Sequence, residues 1–194
     1  MKLGLLGSNS MKRKSAKEIL ADSFRELAER KSIAKITVND VVRNCGYSPS
    51  TFSRQFESKY DLIAWSYARD IEEQLDKMNE GDYGWKQIMS DCARYFQEQK
   101  RYLTNLLLHT EGLDSFERYM INAHYHNMKK HILTSAKIKK LPANVELTLH
   151  VYCMGTARLN CDWLLDKILA TTEEIAKTYE DAMPELLRPF FFSK

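Results

Sequence analysis

Polar side chains between residues 50 and 55 carry the hydrogen-bonding groups that nucleic-acid recognition uses. Hydroxyl, guanidinium and amide groups bond to base edges and to phosphate oxygens. Phenylalanines at positions 52 and 56 are spaced to share one inward face of a helix. The polar residues are therefore predicted to occupy the other faces, suited to groove edges and phosphates: Ser50, Thr51, Ser53, Arg54 and Gln55.

A first short helix is predicted just before this polar group. Thr37 can cap it, and Asp40 stands at the third helical position, where its side chain can accept a hydrogen bond from the backbone N–H of Thr37. Gly46 is predicted to end the helix, because glycine adopts the left-handed conformation of a sharp helix exit without a Cβ penalty. The inward face is supplied by Val38, Val41 and Val42.

A second short helix is predicted from Ser50 to Phe56. Ser48 occupies an N-cap position, and Pro49 follows in the first turn, where its missing N–H costs nothing. A short polar helix presented across a glycine turn is typical of the helix-turn-helix that enters the DNA major groove. The alternative for this stretch alone is an ordinary helical hairpin.

The order of residues in TVNDVVRNCGYSPSTFSRQFESK closely resembles the signature of the TetR family of transcriptional repressors. The resemblance covers roughly residues 13 to 65 and implies an all-helical homodimer. It implies that the residues facing bases are Pro49, Ser50, Thr51, Arg54 and Gln55. It also implies that Thr37 and Asn39 begin the first helix at the DNA backbone or groove and that Lys59 contacts a phosphate. Ser48 and Ser53 complete the predicted DNA-binding set.

Two positions depart from the family pattern. Ser53 stands where a tyrosine is usual, and Tyr47 replaces a small aliphatic residue. The first change removes a phosphate contact that the family makes. Affinity for DNA is therefore expected to rest more heavily on Arg54 and Lys59.

The composition predicts a helix-rich folded protein. Of its 194 residues, 44% are hydrophobic, with only seven Gly and four Pro. Four cysteines without CxxC spacing predict neither a disulfide framework nor a zinc module, and reduced thiols fit a soluble, cytoplasmic protein. No cofactor is predicted. Residues 1–10 are interpreted as a disordered leader or a non-native remnant, with Met11 as a natural start.

Positive charge is concentrated in the N-terminal third. Residues 1–65 contain 12 Lys and Arg against 7 Asp and Glu, whereas the remainder contains 17 against 19. A first helix is predicted from Arg13 to Arg30, packed behind the helix pair, and residues 11–62 are predicted to form the DNA-binding domain. A basic arm at its start can meet phosphates, or can simply be a solvated charge run: Lys12, Arg13, Lys14 and Lys17.

A second, helical domain is predicted over residues 63–194. Ser58 and Asp61 can cap a connecting helix that runs to Met78. The NEGDYG segment at residues 79–84 breaks the chain. Further helices are predicted at 85–99, 102–109, 116–135, 145–169 and 172–186, the last capped at Thr171.

Aromatic and sulfur side chains are frequent in the first half of this domain. Apolar pockets between bundle helices are common sites for small molecules, so the set predicts an effector cavity, with plain core packing as the alternative. The predicted ligand-binding residues are Trp85, Met89, Cys92, Tyr95, Phe96, Tyr102, His109, Phe116, Tyr119, Met120 and Tyr125.

Catalysis and metal binding are not predicted. His124 and His126 form an HxH pattern, which points the two rings apart on a helix. A helical enzyme that retains the motif would need paired ionisable groups, such as His109 and Glu111.

The helix after residue 145 is apolar on more than one side, which predicts a partner surface. A second copy packing as a four-helix interface is the simplest partner. The predicted dimerisation residues are Val151, Met154, Gly155, Leu159 and Trp163.

These features predict a homodimeric repressor that binds a palindromic operator in double-stranded DNA and responds to a small, apolar or amphipathic molecule. The alternative is a regulator whose second domain responds to a protein. Gly155, Trp163 and the TTEEIAK run make the C-terminal half similar to a branch of the TetR family in low-GC Gram-positive bacteria. Some members of that branch respond to a protein partner in dihydroxyacetone metabolism.

Overall fold

The computed structural model describes residues 14–77 and 83–192, which form ten α-helices and no strand. The predicted all-α fold is confirmed. Within these ranges, every helix is too short or too polar to cross a membrane. The helices are α1 (Ala16–Ala28), α2 (Val38–Cys45), α3 (Pro49–Ser53), α4 (Lys59–Asp76), α5 (Trp85–Glu98), α6 (Lys100–His109), α7 (Phe116–Ser135), α8 (Ala143–Leu164), α9 (Thr172–Asp181) and α10 (Arg188–Phe191).

The predicted caps of the N-terminal helices are present. Thr37 accepts a hydrogen bond from the backbone N–H of Asp40, and the Asp40 carboxylate accepts from the N–H of Thr37. Gly46 ends α2 with φ of 74°, in the left-handed region. Ser48 then caps α3 by accepting from the N–H of Thr51. Local hydrogen bonds therefore define both ends of the turn between α2 and α3.

A small core holds α1, α2 and α3 together. Phe24 of α1, Val41 of α2 and Phe52 of α3 are almost fully buried. The buried Ser23 hydroxyl donates to the carbonyl of Val41 at 2.8 Å, which fixes α1 against α2. Phe56, the residue that ends this unit, is also buried and lies 5.7 Å from Phe52 between ring centroids.

Helix α4 belongs to both halves of the molecule. Ser58 caps it by accepting from the N–H groups of Tyr60 and Asp61. Leu62, near its start, is fully buried beside the DNA-binding core, while Tyr67 is stacked edge-on against Phe116 of α7 at 5.0 Å. The boundary drawn at residue 62 stays a prediction, because one helix continues through it.

The remaining helices form a bundle around α5, α7 and α8. Helix α5 packs along α9, α4 along α7, and α7 along α8, while α6 bridges α8 and the segment before α2. The hydrophobic core is continuous from α1 to α10. The bundle is therefore attached to the DNA-binding unit by packed helices rather than by a linker.

Three predicted helix ends were wrong. Helix α8 ends at Leu164 instead of residue 169, since Asp166 turns left-handed with φ of 56° and the N–H of Lys167 bonds back to the carbonyl of Asp162. Helix α3 ends at Ser53 because the N–H of Gln55 bonds to Phe52, three residues back. Helix α9 ends at Asp181 rather than 186, and the chain adds the short α10.

Helix α10 packs on its own subunit. The Phe191 ring lies 4.5 Å from that of Trp85 and 5.1 Å from that of His131. The predicted break at residues 79–84 falls mostly outside the described residues, and the leader and the start of the predicted basic arm, Lys12 and Arg13, fall wholly outside them.

Candidate nucleic-acid interface and effector cavity

The outward face of α3 is polar and exposed. Ser48, Pro49, Ser50, Ser53 and Arg54 are exposed, whereas the two predicted contacts at positions 51 and 55 are half-buried. The face exists because Phe52 and Phe56 turn inward at i, i+4 spacing. The structure thus brings together all of the residues of α3 for which base contacts were predicted.

Hydroxyl groups on this face bond to one another. The Ser48 oxygen lies 2.8 Å from that of Ser50 and 3.1 Å from that of Thr51. Ser53 donates to the carbonyl of Pro49 at 3.1 Å. Arg54 reaches Thr51 only at 3.5 Å and makes no ion pair with another described residue. Its guanidinium is therefore available to a base or phosphate.

The start of α2 carries the other predicted contacts. Thr37 and Asn39 are exposed, and the Asn39 side chain has no hydrogen-bond partner among residues 14–77 and 83–192. The backbone N–H of Thr37, then its hydroxyl and Lys31, lower the pKa of Asp40 to about 2. The carboxylate therefore stays charged, and the cap stays closed, throughout the neutral range.

Lys59 occupies a different environment from an exposed phosphate ligand. Its ammonium donates to the carbonyls of Ile33, Ala34 and Ile36 at 2.9, 3.3 and 3.0 Å. Desolvation lowers the pKa of Lys59. All three N–H donors are engaged, so the predicted phosphate contact requires that at least one of these bonds be exchanged.

The predicted basic arm is only partly within the described residues. Lys14 pairs with Asp22 at 2.6 Å, and the Lys17 ammonium lies 5.1 Å from the ring centroid of Phe56 and 5.4 Å from that of Trp65. Lys12 and Arg13 fall outside the described ranges. The two described lysines thus have partners in their own subunit.

Polar contacts between distant residues join the DNA-binding unit to the bundle. The buried Asp70 carboxylate of α4 accepts from Arg25 of α1 and, at 2.8 Å, from the hydroxyl of Tyr95 of α5. Asn105 of α6 donates to the carbonyl of Ala28 at 2.8 Å. These bonds join α4 and α6 directly to α1, and they join α5 to α1 through the shared carboxylate of Asp70.

A cavity of about 50 Å³ lies inside the bundle. Four of the eleven predicted ligand-binding residues line it, namely Trp85, Met89, Cys92 and Phe96. Sequence reasoning missed the rest of its wall, which comes from four other helices: Ile71, Leu75, His124, Met128, Tyr152, Thr156, Asn160 and Tyr179. The available signal was the i, i+4, i+8 spacing of Tyr152, Thr156 and Asn160, which places the three on one face of α8.

Most polar groups on the cavity wall are paired. Tyr67 and the Nε2 atom of His124 are 2.9 Å apart, Tyr179 donates to the Asn160 side chain, and Tyr152 donates to the carbonyl of Tyr179 at 2.7 Å. Burial lowers the pKa of His124 to about 4 and raises that of Cys92 to about 12. Both groups are therefore neutral at pH 7.

The other predicted ligand-binding residues lie elsewhere. Tyr95 and Tyr102 belong to the Asp70 and Arg25 cluster, and Tyr125 stacks on His150 at 3.9 Å. Phe116, Tyr119 and Met120 pack at other points of α7, and His109 is exposed. The described residues contain no group of three or more His, Cys, Asp or Glu side chains that could hold a metal ion.

An exposed apolar strip runs along α8. Leu147, Val151 and Met154 are 67, 71 and 55% exposed, and Gly155 has no atom within 4 Å of the position a Cβ would take. Beside the strip, a groove of about 270 Å³ runs between α8 and α9 and includes Leu159. Trp163, also predicted at a dimer contact, is instead buried and donates to the carbonyl of Ala170 at 2.9 Å.

Two protein-family models match different parts of the chain. Residues 20–64 match the sequence model of "Bacterial regulatory proteins, tetR family", and residues 84–184 match that of "Transcriptional regulator C-terminal region". A curated relative is the HTH-type dhaKLM operon transcriptional activator DhaS of Lactococcus lactis. It is 22% identical over 99 residues, so the match spans 51% of this chain and about half of that protein, 52%.

Solved structures with the same fold have low sequence identity to this chain. A TetR transcriptional regulator from Rhodococcus sp. has a TM-score of 0.65 at 16% identity, with 89% of this chain and 96% of that chain covered. A dihydroxyacetone kinase operon activator, DhaS, has a TM-score of 0.57 at 16% identity, with 92% of this chain and 98% of that chain covered. A regulator from Streptococcus agalactiae has a TM-score of 0.55 at 20% identity, covering 88 and 94%.

Proposed function

Because the chain belongs to the TetR family of bacterial transcriptional regulators, we propose that it is a homodimeric repressor that binds a palindromic operator. The carrying observation is α3, a capped polar helix whose exposed Arg54 has no ion-pair partner among the described residues. Each subunit inserts this helix into a major groove, and the two subunits occupy two successive grooves. The palindromic operator thus matches the twofold symmetry of the dimer.

The residues proposed to read bases are Pro49, Ser50, Thr51, Arg54 and Gln55. Thr37, Asn39, Ser48 and Ser53 border them and contact the backbone. A bidentate arginine contributes specificity, whereas hydroxyl contacts to phosphates contribute position. Arg54 is therefore the residue on which sequence discrimination depends most in this proposal.

The exposed strip of α8 and the groove beside α9 are proposed to form the dimer contact. Contiguous exposed apolar surface is uncommon on a monomer. The face presents Val151, Met154, Gly155 and Leu159, extended by Leu147, to the same face of a second copy, as a twofold interface requires. The absence of a side chain at Gly155 lets the two α8 backbones approach closely.

The bundle cavity is proposed as the effector site. A small uncharged ligand that binds more tightly to one arrangement of α4 and α5 shifts the population toward that arrangement. The Asp70 cluster then carries the change to α1, and the spacing of the two α3 helices no longer fits the operator.

A second candidate is a regulator controlled by a protein, and it acts as an activator. The cavity of about 50 Å³ is smaller than ordinary small-molecule sites, which span roughly 300–1,000 Å³. The DhaS relatives carry the word activator in their names. In this version the exposed surface of the bundle receives the partner, and the cavity is only a packing gap.

DNA upstream of the gene for this chain, titrated by fluorescence anisotropy at two salt concentrations, tests the regulator proposal. Selective binding over a scrambled duplex with two chains per duplex is expected. Weak binding that ignores sequence and disappears with modest salt would leave only a basic surface.

Val151→Glu should leave the chain folded and monomeric in sedimentation, whereas Lys86→Glu, at an exposed site on α5, should not change the assembly.

A reporter placed behind the same DNA separates repression from activation. Deletion of the gene should raise expression if the chain represses and lower it if the chain activates. Arg54→Ala should reproduce the deletion in either case, because both modes require operator binding.

A further inference from the structure

The bundle cavity has a wall without charge. Within the described ranges, no Asp, Glu, Lys or Arg lines it. His124 has a pKa of about 4 and Cys92 a pKa of about 12, both because of burial, so neither carries charge at pH 7. Transfer of an ion from water to such a site is strongly unfavourable. A ligand of this cavity must therefore be uncharged.

One polar group on the wall lacks a partner. Trp85 is 2% exposed, and its indole N–H donates to no acceptor among the described residues. The buried indole N–H of Trp163, by contrast, donates to the carbonyl of Ala170 at 2.9 Å. Buried tryptophan N–H groups usually find an acceptor, because a buried donor that stays unpaired loses the hydrogen bond it makes with water in the unfolded chain.

Among the described residues, no acceptor lies within hydrogen-bond reach of the Trp85 indole nitrogen, and several polar side chains of the wall are held in place by hydrogen bonds of their own. The Asn160 oxygen accepts from Tyr179, the His124 ring is bonded to Tyr67, and the Thr156 hydroxyl donates to the carbonyl of Tyr152 at 2.9 Å. Phe191 packs against the indole ring at 4.5 Å and limits its rotation. The missing acceptor is best provided from inside the cavity.

We propose that the cavity binds a compact, uncharged and mainly apolar molecule whose carbonyl or ether oxygen accepts a hydrogen bond from the Trp85 indole. This inference rests on the proposed effector role of the cavity and specifies the chemistry of the effector. The apolar body of the molecule contacts Ile71, Phe96 and Met128, and its one oxygen pairs with the single unpaired donor described on the wall.

The present volume suits only a few water-sized groups, since one water needs roughly 10–15 Å³. Met89 and Met128 line the cavity and are unbranched, so rotation of their side chains can enlarge it with little strain. A ring of six or seven atoms therefore requires movement of these methionines, and a bulkier molecule requires movement of a helix.

A matched pair of probes tests the hydrogen bond. Cyclohexanone and methylenecyclohexane have nearly the same shape, but only the ketone carries an acceptor. The indole N–H signals of the ¹⁵N-labelled full chain report on each tryptophan separately, and Trp85→Phe assigns the signal. Cyclohexanone should move the Trp85 signal and leave that of Trp163 in place, because the latter is already bonded to Ala170. Methylenecyclohexane should not move the Trp85 signal downfield.

Affinity supplies a second readout. Trp85→Phe should weaken cyclohexanone binding about three- to tenfold, as expected for loss of one hydrogen bond, and leave methylenecyclohexane binding nearly unchanged. Trp163→Phe is the control and should alter neither. Cyclohexanecarboxylate should not bind the wild-type chain. Saturation with the ketone without any change at Trp85 would overturn the proposal, as would equal Trp85 shifts from both probes. The wild-type spectra decide the matter even if Trp85→Phe folds poorly.

Operator binding, measured separately with and without cyclohexanone, tests the function on which this inference rests. A Trp85 shift with a change in operator affinity supports both. A Trp85 shift without any change in operator affinity supports the ligand class and overturns the effector role. Intact operator binding without a Trp85 shift retains the regulator and overturns this ligand class.

Discussion

The helix pair that carries α3 and the bundle behind it are held together by different kinds of contact. In the helix pair, the caps at Thr37 and Ser48 bond to groups three residues away, and Gly46 sets the turn between them. In the bundle, Tyr67 bonds to His124 across 57 positions. Short-range bonds thus fix the shape of the DNA-facing surface, whereas the cavity exists only once distant helices have packed.

Asp70 lies where the two kinds of contact meet. It pairs with Arg25 of the DNA-binding unit and accepts from Tyr95 of the bundle. A change on either side therefore reaches the other through one buried carboxylate.

Asp70→Ala should lower the free energy of unfolding by about 3 kcal/mol, measured in urea. The change leaves a partly buried arginine and the hydroxyl of a half-buried tyrosine without their acceptor, and breaking a buried ion pair from one side is costly. Asp76→Ala, at an exposed site on the same helix, should change it by less than about 0.5 kcal/mol. Similar losses in the two variants would show that the Asp70 carboxylate contributes no more to stability than an exposed carboxylate does.

Acidification should destabilise the bundle through His124. Burial of its ring lowers the pKa from an ordinary value of about 6.5 to about 4 in the folded chain. Between these values the unfolded chain binds a proton that the folded chain does not, so stability falls as pH falls. Titration of His124 should lower the free energy of unfolding by about 2 kcal/mol between pH 7.5 and 5, as measured by thermal and urea unfolding.

Matched histidine variants isolate that effect. His124→Gln should flatten the dependence on pH, whereas His126→Gln, at an exposed site on the same helix, should keep it. If the free energy of unfolding fell equally steeply with pH in the two variants, a group other than His124 would be responsible for the acid sensitivity.

Arg54→Ala should weaken operator binding by about 1–3 kcal/mol if its guanidinium reads a base, with a smaller loss on random DNA. Fluorescence anisotropy on both duplexes measures the difference. Arg101→Ala, at an exposed site on α6, serves as the arginine control. Equal losses on the two duplexes would instead make Arg54 a phosphate contact.

Lys59→Met separates two roles for this lysine. If its main role is to hold the carbonyls of Ile33, Ala34 and Ile36, the free energy of unfolding should fall by about 1 kcal/mol, with no change in the salt dependence of operator binding. If Lys59 contacts a phosphate, the slope of the logarithm of the binding constant against the logarithm of the salt concentration should fall by about one unit in magnitude. Lys35→Met, an exposed lysine of the same turn, is the control.

Glycine substitutions give the smallest effects and have opposite signs. Gly46→Ala should destabilise the chain by about 1 kcal/mol, because φ of 74° strains alanine while no neighbour obstructs its Cβ. Gly155→Ala should stabilise α8 by about 0.5–1 kcal/mol in a monomeric background such as Val151→Glu. In the wild-type background it should weaken dimerisation, which sedimentation can measure. Unchanged dimerisation would show that the two α8 backbones do not approach at this residue.

The extent of prediction differs between the two regions. The caps at Thr37, Ser48 and Thr171 were confirmed, because each is a pattern of three or four adjacent residues. The predicted end of α8 was wrong, because the left-handed turn at Asp166 stops the helix although apolar residues recur as far as Leu169.

The cavity shows a different kind of failure. Trp85, Met89, Cys92 and Phe96 come from one helix, and residue type selected them together with seven residues that do not line the cavity. Their partners across the cavity are spread over α4, α7, α8 and α9, and sequence gives no direct signal that these faces converge. Trp163 shows the converse, since its apolar side chain predicted an interface and packing placed it inside.

The helical class, the capped α2 and α3 pair and the polar residues that α3 exposes follow from the amino-acid sequence, since hydrogen bonds and side-chain spacing over a few residues decide them. Tertiary structure alone decided that Lys59 binds three carbonyls, that Asp70 joins the two regions and that the Trp85 indole lines a cavity without a partner. Such contacts depend on which faces of distant helices meet, and this is settled by the packing of the whole core.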